Sequence, residues 1–250
     1  MAEHSGDFPA TSRKGTPTED EKLLNEPVDA ETVRIRRNSD SWRVLRIMGE
    51  FTWGFENLQD VAGGVSIFGS ARTRPDQPMY QAAVETAALF AKAGIPVITG
   101  GGPGIMEAAN KGAFEAGGLS IGCNIELPHE QHNNPYLTRS LDFKFFFVRK
   151  TMFVKYAVGF VVFPGGFGTL DEVFEALTLI QTGKVTGFPV VLFGTEYWSG
   201  LMEWIRARLL EEGMISPGDE HLLTVTDDPH EVVRIINDCR RRLRITQVEP

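Results

Sequence analysis

The fold of this chain is constrained most strongly by a regular alternation, from Val65 onward, of short apolar runs and segments with helical periodicity. Runs such as Phe160–Phe163 and Val190–Phe193 are apolar at every position, which is typical of strands covered by helices on both faces. Strands that alternate with helices predict a Rossmann-like α/β fold, a doubly wound parallel sheet flanked by helices. The predicted strands are Val65–Phe68, Pro96–Thr99, Ser120–Cys123, Leu141–Phe147, Phe160–Phe163 and Val190–Phe193. The predicted helices are Tyr80–Ala93, Ile105–Ala116, Lys150–Ala157, Leu170–Gln181, Tyr197–Glu212 and Pro229–Leu243.

The part of the chain before the first predicted strand divides into two segments of different composition. Residues 1–31 are rich in Thr, Pro, Glu, Asp and Lys and have almost no large apolar side chains, so we expect a disordered tail. Residues 32–60 form an amphipathic helical region, because large apolar side chains recur at spacings of three or four over Asp40–Gln59. That apolar face either packs on the main domain or forms a dimer surface. Residues 61–250 then form a single α/β domain. The apolar side chains of the helical region are Trp42, Leu45, Met48, Phe51 and Phe55.

Composition excludes several classes of protein. The chain has 250 residues and a formal net charge of −8, whereas a nucleic-acid surface usually carries a basic excess, so we expect no nucleic-acid partner. The two cysteines, Cys123 and Cys239, form no C-x-x-C pattern, which fits a reducing compartment and argues against a cysteine-rich metal site. No apolar segment resembles a secretory signal or reaches the length of a membrane span. We therefore expect a cytoplasmic protein that does not interact with membranes.

A glycine-rich turn, Pro164–Thr169, joins a buried predicted strand directly to a predicted helix. Glycines let the backbone approach a ligand closely, and the amides of a helix N-terminus bind anions, so the turn predicts a phosphate site. Thr169 adds a hydroxyl that could donate to a phosphate oxygen. However, Thr169 and Glu172 also have the spacing of a capping box, in which Glu172 would serve only the helix end.

Two further small-residue turns follow predicted strands. Gly100–Gly104 follows the strand that ends at Thr99, and Phe68–Arg72 follows the first strand. The carboxyl ends of parallel strands meet at one edge of the sheet, where α/β proteins bind their ligands. Three such turns favour a nucleotide cleft over three turns that serve backbone geometry alone.

These segments resemble the Lonely Guy family of cytokinin riboside 5′-monophosphate phosphoribohydrolases, whose members are often labelled lysine decarboxylases. Pro164–Glu172 is similar to the family signature P-G-G-x-G-T-x-x-E, and Gly100–Glu107, Phe68–Arg72 and Phe147–Met152 are similar to three other family segments, in the same order. The resemblance covers roughly Val65 to Leu243. It departs before Arg149, where short plant members usually carry Met-His-Glu and this chain carries Phe-Phe-Val.

The resemblance implies hydrolysis of the N-glycosidic bond of AMP or an N6-substituted AMP, such as a cytokinin riboside monophosphate, without a metal or cofactor. It implies that Glu172 is the catalytic carboxylate and Arg149 its partner, although Arg149 could orient Glu172 or contact the phosphate or the base. It also implies that Glu107 binds the ribose hydroxyls. Lys150 is either a second positive charge in the site or a helix-surface lysine. The predicted substrate-binding residues are Gly69, Ser70, Arg72, Gly101, Gly102, Gly104, Glu107, Lys150, Gly165, Gly166, Gly168 and Thr169.

Two alternatives to this enzyme remain at the level of sequence. Related folds carry nucleotides or molybdenum cofactor without hydrolysing them, which makes a noncatalytic binding or carrier protein the main alternative. A DNA-binding relative fits the acidic charge poorly. His129 and His132 lie in a Pro- and Asn-rich loop, so we do not expect the helical pair that would bind a metal. The family resemblance further implies a homodimer or a higher homo-oligomer.

Overall fold

The computed structural model describes residues 17–24, 30–127 and 133–246, and it describes side chains for these residues except 30–41 and 244–246. The helices are α1 (Glu19–Leu24), α2 (Ala30–Leu58), α3 (Pro78–Lys92), α4 (Ile105–Glu115), α5 (Phe146–Lys155), α6 (Phe167–Gln181), α7 (Thr195–Trp204) and α8 (Pro229–Thr246). The strands are β1 (Gly64–Phe68), β2 (Val97–Thr99), β3 (Ser120–Ile125), β4 (Arg139–Phe143), β5 (Ala157–Val162), β6 (Val190–Phe193) and β7 (Leu223–Thr226). A π-helical segment, Ile205–Leu210, continues α7, and a short 3₁₀ helix, Asp219–Leu222, precedes β7.

The seven strands form one parallel sheet in the order β4-β3-β2-β1-β5-β6-β7, which confirms the predicted α/β fold. Strand β1 lies at the centre, with Val65 opposite Val97 of β2 on one side and Ile67 opposite Val161 of β5 on the other. From β1 the chain adds β2, β3 and β4 on one side, and it then returns to add β5, β6 and β7 on the other side. The carboxyl ends of β1, β2 and β5 therefore surround the crevice in which such sheets bind ligands.

Helices cover both faces of the sheet and bury two apolar layers. Phe153 of α5, Val173 of α6 and Trp198 of α7 lie in one layer. Phe90 of α3 and Ile236 of α8 lie in the other. Coverage of both faces explains why the central strands are apolar at every position. Among the described residues, no helix combines the length and the apolarity needed to cross a membrane.

The largest error in the sequence prediction is at the junction of β4 and α5. We expected a strand over Leu141–Phe147 and a helix over Lys150–Ala157, but β4 ends at Phe143 and α5 already begins at Phe146. The aromatic run looked like a strand, yet carboxylates from distant parts of the chain bind its backbone amides and start a helix there. Ala157 instead opens β5.

The predicted disordered tail, residues 1–31, is wrong for residues 17–24, which contain α1, and α2 already begins at Ala30. Helix α1 begins with a reciprocal capping box, in which Glu21 N–H donates to Thr18 Oγ1 and Thr18 N–H donates to Glu21 Oε2. The side chain of Leu23 packs against the core. Residues 1–16 and 25–29 lie outside the described part of the chain.

Helix α2 corresponds to the predicted amphipathic helix, but only part of its apolar face packs on the domain. Leu58 is buried, and Phe51 packs against the same core layer. Trp42, Leu45 and Met48 are 68%, 56% and 59% exposed. Core packing therefore accounts for the end of the helix, and near its middle it leaves an apolar stripe that no described residue covers.

Candidate active site

Backbone hydrogen bonds join the three small-residue turns into one unit. The amide of Ser70, after β1, donates to the carbonyl of Pro164, after β5, at 2.9 Å. The amide of Ile105, at the start of α4, donates to the carbonyl of Ser70 at 3.0 Å. Because the turn after β1 binds both of the others, the glycine-rich segments lie side by side at the predicted edge of the sheet.

These turns border an open cleft of about 590 Å³, within the range of small-molecule sites. The turns after β1 and β5, Gly100 after β2, and the first turns of α4, α5 and α6 all contribute to its walls. The lining residues are Phe68, Gly69, Ser70, Ala71, Arg72, Gly100, Met106, Phe146, Arg149, Gly166, Phe167, Gly168, Thr169, Asp171 and Glu172.

The turn after β5 leads directly into the N-terminus of α6. Leu170 N–H donates to the Gly166 carbonyl at 3.0 Å, so the amides of the preceding residues have no partner within the helix. Gly166, the N-cap residue, provides no side-chain cap. A Cβ atom on Gly165 would overlap the Thr169 hydroxyl, so only glycine permits this close approach. Free amides at the positive end of a helix dipole make this turn suitable for a phosphate group.

Glu172 lies in the second turn of α6, and the capping-box interpretation of it is wrong. The helix begins at Phe167, so Thr169 is already inside it and not at the N-cap. The Glu172 carboxylate faces the cleft and is only 8% exposed, and its Oε2 atom has no hydrogen-bond partner within the described residues. A buried, unpaired carboxylate oxygen is costly, and a substrate or water bound in the cleft would satisfy it.

Burial raises the pKa of Glu172 to about 7, because desolvation disfavours the ionised form. The positive charges of Lys150 and Arg149 oppose this effect, whereas the carboxylates of Glu175 and Asp171 add to it. The carboxyl group can therefore exchange a proton near neutral pH, as a general base must.

Arg149 lies in the first turn of α5 and also lines the cleft. Its Nε donates to the Cys123 carbonyl at 2.8 Å, and its guanidinium lies over the rings of Phe153 and Phe146. A Cβ atom on Gly100 would overlap this guanidinium. Burial lowers the pKa of Arg149, but a guanidinium group stays charged at any physiological pH. The cleft therefore contains a fixed positive charge whose field acts on Glu172.

Lys150 is neither a surface lysine nor a residue of the cleft wall. Its ammonium group lies 2.9 Å from Asp171 and 2.8 Å from Glu175, and its side chain is mostly buried. It thus connects α5 to α6, which carry Arg149 and Glu172. Its positive charge still lowers the pKa of Glu172.

The structure brings eight of the fourteen predicted site residues to the cleft wall. Glu107 is directed elsewhere, since Oε1 of its carboxylate accepts a hydrogen bond from Tyr80 at 2.9 Å. The carbonyls of Gly101 and Gly102 accept hydrogen bonds from the Asn134 side chain, so this part of the loop is held by the protein and does not line the cleft. The predicted residues on the wall are Gly69, Ser70, Arg72, Arg149, Gly166, Gly168, Thr169 and Glu172. Those absent from the wall are Gly101, Gly102, Gly104, Glu107, Lys150 and Gly165.

The sequence prediction did not include the apolar side chains of the cleft. Phe146 and Met106 line it, and Phe167 is 91% exposed at its rim. Phe167 is the residue between the glycines of the turn, and Phe146 lies three positions before Arg149. Both could have been found from the motifs, because a planar base needs an aromatic or apolar surface beside the phosphate site.

Among the described residues, no group of three or more His, Cys, Asp or Glu side chains is arranged to hold a metal ion. His129 and His132 lie outside these residues, so the expectation for that loop stays a prediction.

The sequence matches the model of a family described as "Possible lysine decarboxylase" over residues 106–236. The matched stretch extends from the first turn of α4 into α8 and contains Arg149 and Glu172.

Several curated relatives carry one functional name. A cytokinin riboside 5′-monophosphate phosphoribohydrolase of Arabidopsis thaliana is 29% identical over 163 residues, which cover 63% of this chain and 74% of that protein. A protein of the same name from Mycobacterium tuberculosis is 28% identical over 163 residues, 62% of this chain and 84% of that protein.

Solved structures share the architecture. A structural genomics target superposes with a TM-score of 0.55 at 26% identity and covers 70% of this chain and 99% of its own. A molybdenum cofactor binding protein of Rippkaea orientalis has a TM-score of 0.52 at 23% identity, and the match covers 71% of this chain and 96% of that protein. The second likeness shows a common fold alone.

Proposed function

Since this chain belongs to the family described as possible lysine decarboxylases, the family that the Lonely Guy resemblance indicated, we propose that it is a hydrolase of nucleoside 5′-monophosphates. The substrate is AMP or an N6-substituted AMP such as a cytokinin riboside monophosphate, and the products are the free base and ribose 5-phosphate. The relatives named as phosphoribohydrolases support this reaction class.

The observation that carries the proposal is the Glu172 carboxylate. It is buried, one of its oxygens is unpaired, its pKa is about 7, and it lies one helical turn beyond a phosphate-binding turn. A protein that only holds a phosphate has no evident need for such a group, whereas hydrolysis at the sugar requires one.

In the proposed reaction the phosphate binds the free amides of Gly166, Gly168 and Thr169. This places the sugar toward Glu172 and the base against the apolar wall at Phe146. Ionised Glu172 accepts a proton from a water molecule while the water oxygen bonds to C1′. The bond from C1′ to the base nitrogen breaks, and the base leaves with the electron pair and takes up a proton from solvent, while Glu172 afterwards returns its proton to solvent. Arg149 stabilises the ionised carboxylate and the negative charge of the phosphate.

The other predicted roles are part of the same proposal. Ser70 and Arg72 contact the phosphate from the facing turn. Glu107 binds the ribose hydroxyls only if it exchanges its bond to Tyr80 for one to the sugar. Residues 61–250 form the catalytic domain, and the helical region before them joins it without entering the cleft. Cys123 and Cys239 are both free and buried, which supports a cytoplasmic location.

Chromatography of nucleoside monophosphates after incubation with the protein tests the proposal. We expect adenine from AMP without added metal or cofactor, and a loss of at least about 10²-fold in kcat for Glu172→Gln, whose amide cannot accept the proton. Glu212→Gln makes the same change at an exposed carboxylate that does not line the cleft, and this matched control should retain full activity. Tight binding of a nucleotide or of molybdenum cofactor without release of any base would instead identify a carrier. Full activity of Glu172→Gln would refute the role of that residue.

A further inference from the structure

Helix α5 carries Arg149 into the cleft but has no N-terminal cap of its own. Its N-cap residue is Phe145, which makes no side-chain capping bond, and the first residue of the helix is Phe146. The first bond within the helix runs from Arg149 N–H to the Phe145 carbonyl. The amides before Arg149 therefore need partners from outside the helix.

Two carboxylates from the N-terminal helices supply those partners. Glu50 of α2 accepts hydrogen bonds through Oε1 from the amides of Lys144 at 3.0 Å and Phe145 at 3.1 Å. Asp20 of α1 accepts one through Oδ2 from the amide of Phe146 at 3.0 Å. In the sequence, each acceptor lies 94 to 126 residues before the amide that it binds. Two separate segments thus cap a single helix end.

Both carboxylates are half-buried, although only the bond from Phe145 to Glu50 is itself shielded from solvent. Burial raises the pKa of both Asp20 and Glu50, while the backbone amides they bind oppose that rise. The charge of Lys144 lowers the pKa of Glu50, and the charge of Asp20 raises it. Three other charged residues line the surface cavity beside Glu50: Glu19, Arg46 and Asp142. Leu23 of α1 and Phe51 of α2 pack against the core, and this packing holds the two acceptors beside the amides.

We propose that Asp20 and Glu50 are positioning residues that fix the start of α5 and thereby place Phe146 and Arg149 in the cleft. Phe146 is the residue whose amide Asp20 binds, and Arg149 follows one turn later. A shift at this helix start would move the guanidinium away from the Cys123 carbonyl and from Glu172. The effect on catalysis rests on the proposed function, whereas the capping itself does not.

The experiment compares Glu50→Ala and Asp20→Ala with Glu50→Gln in the full chain. The matched control is Glu56→Ala, at an exposed carboxylate on the same helix. Three quantities are measured: amide hydrogen exchange over residues 144–149 and over β5, kcat and KM for AMP, and the apparent pKa on the acid side of the kcat/KM profile.

We expect both alanine variants to lose protection at residues 144–149 while β5 remains protected. A misplacement of Arg149 should lower kcat/KM by about 10²-fold, mostly through kcat. The apparent pKa on the acid side should rise, because Arg149 no longer lowers the pKa of Glu172, and a purely structural role would not move it. Glu50→Gln keeps an acceptor oxygen and should stay near wild type in all three quantities.

Unchanged protection at residues 144–149 in both alanine variants would overturn the proposal, as would a lower kcat/KM with an unchanged pH profile. If Glu50→Ala does not fold, Asp20→Ala and Glu50→Gln decide by the same criteria. If wild-type protein releases no base, the proposed function fails, and hydrogen exchange together with AMP affinity then decides the positioning role separately.

Discussion

At the scale of single residues, the protonation of Glu172 sets the expected pH dependence. Its pKa is about 7 in the folded protein because burial disfavours the ionised form, and the proposed base is active only when ionised. We therefore expect kcat/KM to rise with pH through about 7 and to fall roughly tenfold per pH unit below it. The measurement is a rate profile from pH 5 to 9 with AMP. A flat profile across this range would contradict the assignment of Glu172 as the base.

The two catalytic candidates could be found from sequence, but their environment could not. Spacing alone allowed Glu172 to be a capping residue, and only the observed start of α6 at Phe167 removes that possibility. The wall residue Phe146 was assigned to a strand, so its place beside Arg149 was missed. Local patterns identify chemical groups, whereas burial and pairing depend on contacts between distant segments.

At the scale of elements, the glycine turns depend on backbone packing at Gly104. This residue has φ 71° and ψ −128°, outside the regions open to other residues, and a Cβ atom there would overlap the backbone of Ser70 and Ala71. We expect Gly104→Ala to combine a backbone cost of about 1–3 kcal/mol with about 1–3 kcal/mol for overpacking. Chemical denaturation measures the loss in the free energy of unfolding.

Gly183→Ala is the matched control for that prediction. Gly183 also has a positive φ, of 70°, but a Cβ atom there would meet nothing within 4 Å. Its substitution should cost only the backbone part, about 1–2 kcal/mol. Equal losses in the two variants would mean that the turn after β1 moves away from the added Cβ atom at no cost, which would contradict tight packing between the two turns.

Helices and strands were predicted correctly where neighbouring residues determine their bounds, and incorrectly where distant residues determine them. Strand β6 was predicted with its observed bounds, because its apolar run lies between turn residues. The start of α5 was misplaced by four residues, because its caps come from α1 and α2. Strand β7, with its short and partly polar sequence, was not predicted at all.

At the scale of the whole molecule, the uncovered stripe on α2 bears on assembly. Trp42, Leu45 and Met48 follow one another at intervals of three residues, so they share a helix face, and all three are exposed. Contiguous exposed apolar surface on a folded protein commonly marks an interaction site. Together with the family resemblance, this supports the proposal that two copies of the chain associate through α2.

A symmetric dimer would pair this stripe with its equivalent on the partner, because an isologous interface uses one surface twice. A charge placed there would be buried without a partner, so we expect Leu45→Glu and Met48→Glu to shift the protein from dimer to monomer. Light scattering coupled to size-exclusion chromatography measures the mass against 27.7 kDa for one chain. Asn57→Glu adds the same charge at an exposed polar position of α2 and should leave the mass unchanged. A dimer that survives both stripe variants would place the interface on another surface, and a monomeric wild-type protein would refute the association itself.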